Sequence, residues 1–294
     1  ALILGIAYAA STGGIGSPIG TPPNVIFMGI YEEQTGKEFS FLDWMKIGVP
    51  VVLVALPIMA LWLTRNVKLE EEIKLPVLGQ WRKEEVRTLV ILGLTALAWI
   101  TRSEPFGGWS ELFGVSIAGD STVALAAVVV MFLYPNGKGG RILDWETAKD
   151  IPWGMLLLFA GGIAIAKGFV ASGLSTMLGD WLSSLANLPL ILMVLTICLV
   201  VTYLTEITSN TATATLLMPI LAVAGISAGL DPSVLMIPAA MAASCAFMLP
   251  VATAPNAIAY GTGELEIRDM VKEGAVLSFL VSCIVGVVCY LLLI

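Results

Sequence analysis

The sequence contains no histidine, and lysine, arginine, aspartate and glutamate make up only 13% of its 294 residues. The first absence excludes imidazole metal ligands, Ser/His/Asp catalysis and histidine proton relays. The second leaves too little charge for a soluble domain of this length. Cysteine is scarce as well: Cys198, Cys245, Cys283 and Cys289 all lie in apolar segments without a CxxC pair. Neither a disulfide framework nor a thiolate metal site is expected, and the four read as packing residues. Nothing in the charge pattern suggests a nucleic-acid partner. What is abundant is oil: 57% of the residues are hydrophobic and the mean hydropathy is +0.92. This predicts an all-α polytopic membrane protein with the bilayer as its solvent. The sequence opens on the apolar run ALILGIAYAA, with neither an initiator methionine nor a signal-peptide pattern. It therefore reads as a fragment that begins inside a transmembrane segment.

Apolar runs mark expected spans at 1–30, 47–64, 87–101, 120–134, 151–171, 188–224, 234–261 and 274–294, judged against the roughly 20 residues that a helix needs to cross hydrocarbon. Three runs are interrupted: the first by STGGIGSPIGTPPN, the sixth by TEITSNT and the seventh by LPVATAPN. Glycine and proline break helical hydrogen bonds, so each break should face protein or a watery cavity, not lipid. The loops 65–87, 135–150 and 262–273 hold 11 of the 15 basic residues, and helix counting puts all three on one side. The positive-inside rule makes that side cytoplasmic in a multi-pass protein. Lys167, near the outer end of its span, is either a snorkelling lysine or a functional intramembrane charge. The glycines of FAGGIAIAKG (159–168) read as close-packing positions, since no Walker Lys-Ser pair follows them.

The segments PIGTPPNVIFMG (18–29) and PVATAPNAIAYG (250–261) align at an offset of 232 with six of twelve residues identical. Asp43, Lys46 and Gly48 follow the first as Asp269, Lys272 and Gly274 follow the second. The first copy is expected to run inside to outside and the second outside to inside. This makes the chain an inverted-repeat transporter with broken helices, the pattern that points to a secondary transporter with its site at the repeat interface.

TEITSNTATATLLMP (205–219) places Glu206, Ser209, Asn210 and five threonines between apolar runs. Alone, such hydroxyls could simply bond to their own backbone. A re-entrant hairpin over 188–224, tipped by Ser209-Asn210-Thr211, would instead bring a half-helix N-terminus to the membrane centre to hold an anion. Two complete spans are the alternative. Thr205, Thr208 and Asn210 add neutral oxygens suited to Na⁺. Glu206 either couples protons or sodium, or is paired internally and holds the hairpin. The expected organisation is 1–46 for the broken helix of the first repeat, 47–86 for a span with its cytoplasmic connector, and 87–294 for the second repeat, with hairpin 188–224 and broken helix 234–261.

These residues resemble the divalent anion:sodium symporter family. Its signature is a Ser-Asn-Thr tripeptide at each of two hairpin tips, with unwound helices reading Gly-[Ser/Thr]-Pro-Pro-Asn and Ala-Thr-Pro-Pro-Asn. Ser209-Asn210-Thr211, Gly20-Thr21-Pro22-Pro23-Asn24 and Ala252-Thr253-Ala254-Pro255-Asn256 match. The resemblance implies sodium-coupled symport of a small dicarboxylate such as succinate, malate or fumarate by an elevator movement against a dimeric scaffold. It implies one Na⁺ held by Thr205, Thr208, Asn210 and Ala252 and a second partly held by Gly20. Thr21, Ser209, Asn210, Thr211 and Ala254 would meet the substrate. Pro22, Pro23, Asn24, Thr253, Pro255 and Asn256 would shape the site. Ala254 departs from the family's proline, and the partner of the Ser209 tip would fall before residue 1. Sulfate or citrate symport on the same fold, or proton-coupled antiport through Glu206, are the alternatives. No acid/base or nucleophile pair suggests an enzyme.

Overall fold

Proline is tolerated in the first turn of a helix, where its missing N–H would be unpaired anyway. Pro22 and Pro255 stand in such first turns. The residues capping them, Thr21 (φ −144°, ψ 148°) and Thr253 (φ −141°, ψ 153°), share one extended conformation. Two of the interrupted runs thus restart in the same way, and Ala254 opens its helix as Pro22 does.

The computed structural model describes residues 2–67, 79–103, 108–115, 118–151, 153–174, 177 and 189–294. Lys68 and Lys74 of the first basic loop and Leu188 of the sixth run lie outside the described residues. The helices are α1 (Leu2–Gly13), α2 (Pro22–Thr35), α3 (Phe41–Thr64), α4 (Lys83–Ile100), α5 (Gly108–Leu112), α6 (Asp120–Leu133), α7 (Trp145–Ala148) and α8 (Trp153–Ser172). They continue as α9 (Leu190–Thr205), α10 (Asn210–Ser227), α11 (Ser233–Ala242), α12 (Ala254–Gly261) and α13 (Ile267–Leu293). Among the described residues no strand occurs, and α3, α10 and α13 are long and apolar enough to cross a membrane. α3 and α13 begin earlier than the apolar runs suggest, taking in Asp43 and Lys46, and Arg268, Asp269 and Lys272. Charged first turns can extend a helix beyond the apolar stretch that sequence alone delimits.

The chain divides into two units, Ala1–Phe39 with Asp43–Lys68 and Gly154–Ile294, and Ser40–Leu42 with Leu69–Trp153. In the second, α4 packs on α6. Asp120 there forms a buried ion pair with Arg102 (2.8 Å) and accepts the Phe41 N–H, while its carbonyl accepts the Trp99 indole N–H.

The first unit is built around α11. All ten of its residues are buried, against α2, α9, α10 and α13, as expected of a helix apolar on every face. The broken helices cross reciprocally: α1 packs on α12 and α11 on α2, so each half of one break lies against the opposite half of the other. Glycine permits the closest approaches. A Cβ at Gly48 would lie 2.5 Å from the Ile15 carbonyl oxygen, and one at Gly274 would lie 2.4 Å from that of Phe247. Ile15 and Phe247 are themselves 232 apart. Gly162 of the 159–168 stretch admits the Thr215 methyl, which would lie 2.2 Å from a Cβ there.

Polar contacts join segments that the basic-loop count puts on one side. Arg65, just past the end of α3, and Trp62 both reach Glu273 near the start of α13. Tyr31 of α2 reaches Asp231 (3.2 Å), and Lys167 of α8, largely exposed, pairs with Glu33 (3.1 Å). The four cysteines are free, and Cys198, Cys245 and Cys289 are buried.

Candidate functional site

Three interruptions converge within the first unit: residues 14–21 between α1 and α2, 206–209 between α9 and α10, and 243–253 between α11 and α12. They border a cavity of about 370 Å³. Of the residues singled out in the sequence, it brings together Gly20, Thr21 and Pro22 from the first break and Ser209, Asn210 and Thr211 from the second. Ala252, Thr253, Ala254 and Pro255 come from the third. Thr205, Thr208, Pro23, Asn24 and Asn256 are not part of this lining: Thr208 is exposed, and the other four are buried. Ala10, Ser11 and Ser244 also line the cavity, and sequence reasoning missed them.

The local backbone explains the convergence. A Cβ at Gly20 would lie 2.1 Å from the Gly14 carbonyl oxygen, so the first break folds back on itself only because both positions are glycine. Asn24 locks this turn by donating to the carbonyls of Gly14 (3.2 Å) and Ser17 (2.8 Å). Asn256 donates to Ala246 and Leu249, both at 3.1 Å. Those acceptors are again 232 residues on, so one hydrogen-bonded frame is built twice. The Oδ1 atoms of both asparagines are buried without a protein partner.

The lining carries no lysine, arginine, aspartate or glutamate. Its polarity comes from hydroxyls, one carboxamide and helix ends. Thr21, Ser209 and Thr253 are the N-caps of α2, α10 and α12, so three helices start at this cavity. Each N-terminus presents the positive end of a helix dipole, which favours an anion. Pro22 and Pro23 give α2 no amide to offer and Thr253 Oγ1 takes the Asn256 N–H in α12, so the free first-turn N–H groups belong chiefly to α10.

Behind the tip, the buried Thr205 hydroxyl lies 2.6 Å from Asn210 Oδ1 and 3.1 Å from the Ala243 carbonyl oxygen. The Thr208 hydroxyl lies 2.9 Å from the Leu204 carbonyl oxygen and 2.6 Å from Thr213 Oγ1. These neutral oxygens are donor types that a hard monovalent cation accepts.

Glu206 is 3% exposed. Its carboxylate accepts the backbone N–H groups of Phe247 (2.7 Å), Met248 (3.0 Å) and Leu249 (3.3 Å), and the Ser278 hydroxyl (3.0 Å). Its two oxygens thus act as acceptors in a nest of backbone amides. It ties the end of α9 to the third break.

A family model described as sodium:sulfate symporter transmembrane region matches residues 1–293. The chain is 42% identical over 307 residues to the sodium-dependent dicarboxylate transporter SdcS of Staphylococcus saprophyticus, covering 99% of this chain and 58% of that protein. It is 42% identical over 304 residues to the transporter of the same name from Staphylococcus aureus, covering 98% of this chain and 58% of that protein. The chain thus spans somewhat over half the length of these curated relatives.

Proposed function

From the premise that the chain belongs to the sodium:sulfate symporter transmembrane family, we propose that it forms the binding core of a sodium-coupled symporter for C4-dicarboxylates such as succinate, malate or fumarate. One observation carries the reading: a cavity without fixed charge, at which three helix N-termini meet beside a cluster of neutral oxygens. Helix ends and hydroxyls attract an anion without a lysine or arginine to hold it permanently. A sodium ion among Thr205, Thr208, Asn210 and the Ala252 carbonyl, with a second near Gly20, supplies the missing positive charge. Substrate and ion then bind well only together, which is the basis of symport.

Ser209, Asn210, Thr211, Thr21 and Ala254 meet the dicarboxylate. Pro22, Pro23, Asn24, Thr253, Pro255 and Asn256 hold the breaks open. The duplicated asparagine frame and reciprocal helix crossings support an inverted-topology repeat, with 1–46 and 234–261 as its matched broken helices, 47–86 as a span and connector, 87–294 as the second repeat and 188–224 as a re-entrant hairpin. By the family resemblance, such a carrier moves its site by an elevator displacement, as a homodimer in the bacterial plasma membrane. Sulfate is the second reading, favoured by the description of the family model, whereas the names of the relatives favour dicarboxylate. The four donors around Glu206 weigh against a proton carrier.

The test is uptake of labelled succinate by the full-length protein in proteoliposomes. An inward sodium gradient should drive accumulation and a pH gradient in sodium-free buffer should not. Accumulation on the pH gradient alone would overturn the proposal.

A further inference from the structure

Two serines missed in the sequence join the two repeated breaks. Ser244, at the end of α11 and 1% exposed, lies with its Oγ 2.9 Å from Thr21 Oγ1, 223 residues away. Ser11, near the end of α1, donates to Thr253 Oγ1 at 3.5 Å across 242 residues. Thr21 and Thr253 are the equivalent N-caps of α2 and α12, so each capping threonine is paired with a serine from the first half-helix of the other repeat. All four residues line the same cavity.

Counting protons gives the pairs a direction. Thr253 Oγ1 also accepts the Asn256 N–H at 3.3 Å. With Ser11 donating as well, both its lone pairs are used and its own proton is left for the cavity. Thr21 makes no such cap bond, so Ser244 is its side-chain partner. A hydroxyl proton buried as deeply as that of Ser244 needs an acceptor, and Thr21 Oγ1 supplies one. Ser244 donating to Thr21 then turns the Thr21 proton toward the cavity and, by polarising the hydroxyl, makes it a better donor.

We propose that Ser244 and, more weakly, Ser11 are positioning residues for the transported anion: each orients the hydroxyl proton of a capping threonine, Thr21 or Thr253, toward a substrate oxygen. The inference rests on the transport reading above and assigns to these serines the substrate term, not the sodium term. A cavity lacking basic side chains depends on aimed hydroxyls, so losing the aim weakens anion binding while leaving the cation ligands in place.

The experiment is sodium-driven uptake by the full-length protein in proteoliposomes, with labelled succinate and labelled sulfate measured in parallel. Ser244→Ala should raise the KM of the transported anion roughly 3- to 10-fold, as expected for one lost hydrogen bond, with Vmax and the half-saturating sodium concentration unchanged. Ser244→Thr, which keeps a hydroxyl, should restore the KM, and Ser11→Ala should act in the same direction but less. In a Thr21→Val background Ser244→Ala should change nothing further. An unchanged KM in Ser244→Ala overturns the inference, as does a full effect in the Thr21→Val background or a shift confined to sodium. If the unsubstituted protein carries neither anion on a sodium gradient, the transport reading fails and takes this inference with it. An unchanged KM in an active carrier refutes the inference alone.

Discussion

The hydroxyl of Thr205 lies 2.6 Å from the side-chain oxygen of Asn210 and 3.1 Å from the main-chain oxygen of Ala243. It has one proton for two acceptors. It can donate to only one of them at a time, so Thr205 and Asn210 bring two neutral oxygens together behind the tip of the second break.

Thr205→Val and Asn210→Ala each remove an oxygen from this arrangement. Either should raise the half-saturating sodium concentration by about tenfold or more, corresponding to about 1.4 kcal/mol. Thr205→Ser should remain close to the unsubstituted protein. Uptake measured against sodium concentration at fixed succinate checks this, and an unchanged sodium dependence in Asn210→Ala refutes the cation assignment.

Glu206 answers three backbone N–H groups of the third break. Replacement by alanine leaves them buried without an acceptor, at about 1–3 kcal/mol each. Glu206→Ala should lower the unfolding temperature of the detergent-purified protein by several degrees, with Glu206→Gln between it and the parent. Sodium coupling should persist in whatever uptake remains. Uptake that loses its sodium dependence with no loss of stability would mark Glu206 as a coupling group.

Much of this site can be read in the sequence because its markers are local. Thr21-Pro22-Pro23-Asn24 and Thr253-Ala254-Pro255-Asn256 each encode an extended cap, a helix start and a locking asparagine within four residues. Ser11 and Ser244 carry no such signal. Each follows alanines in an apolar helix, and its partner is more than 200 residues away, so the pairing exists only after the broken helices cross. The early starts of α3 and α13 escape for a different reason: charges in a first turn look like loop to a hydropathy count. Glu206 shows its oddity in the sequence, but its amide nest comes from another segment.

Gly48 and Gly274 lie where a Cβ would meet a carbonyl oxygen at 2.5 and 2.4 Å. Gly48→Ala and Gly274→Ala should each destabilise the protein by about 1–3 kcal/mol through overpacking. Gly29→Ala, with nothing within 4 Å, should be tolerated. Thermal unfolding of the three variants side by side checks the ranking. Equal stability would show that the breaks are not closely packed.

Asp231, in the loop between α10 and α11, gives a pH dependence. Burial pushes its carboxyl upward, but hydrogen bonds from Ser233 and Tyr31 outweigh this and hold it below the usual aspartate range. A depressed folded value means the stabilisation is complete above the unfolded value of about 3.9 and is lost as pH falls through the lower folded value. Asp231→Asn should therefore unfold at a lower temperature than the parent at pH 7, and the gap should shrink as pH drops below about 4. A gap constant with pH would mean that the charge contributes nothing.

The most direct test of a shared site is reciprocal binding to the purified full-length protein. Succinate affinity, measured by calorimetry with sodium or with choline in its place, should be at least about tenfold higher in sodium, and succinate should raise sodium affinity by the same factor. Both effects should vanish in Asn210→Ala. Equal succinate affinity in sodium and in choline would contradict the account, because the anion and the ion would then not be bound by the same three broken helices.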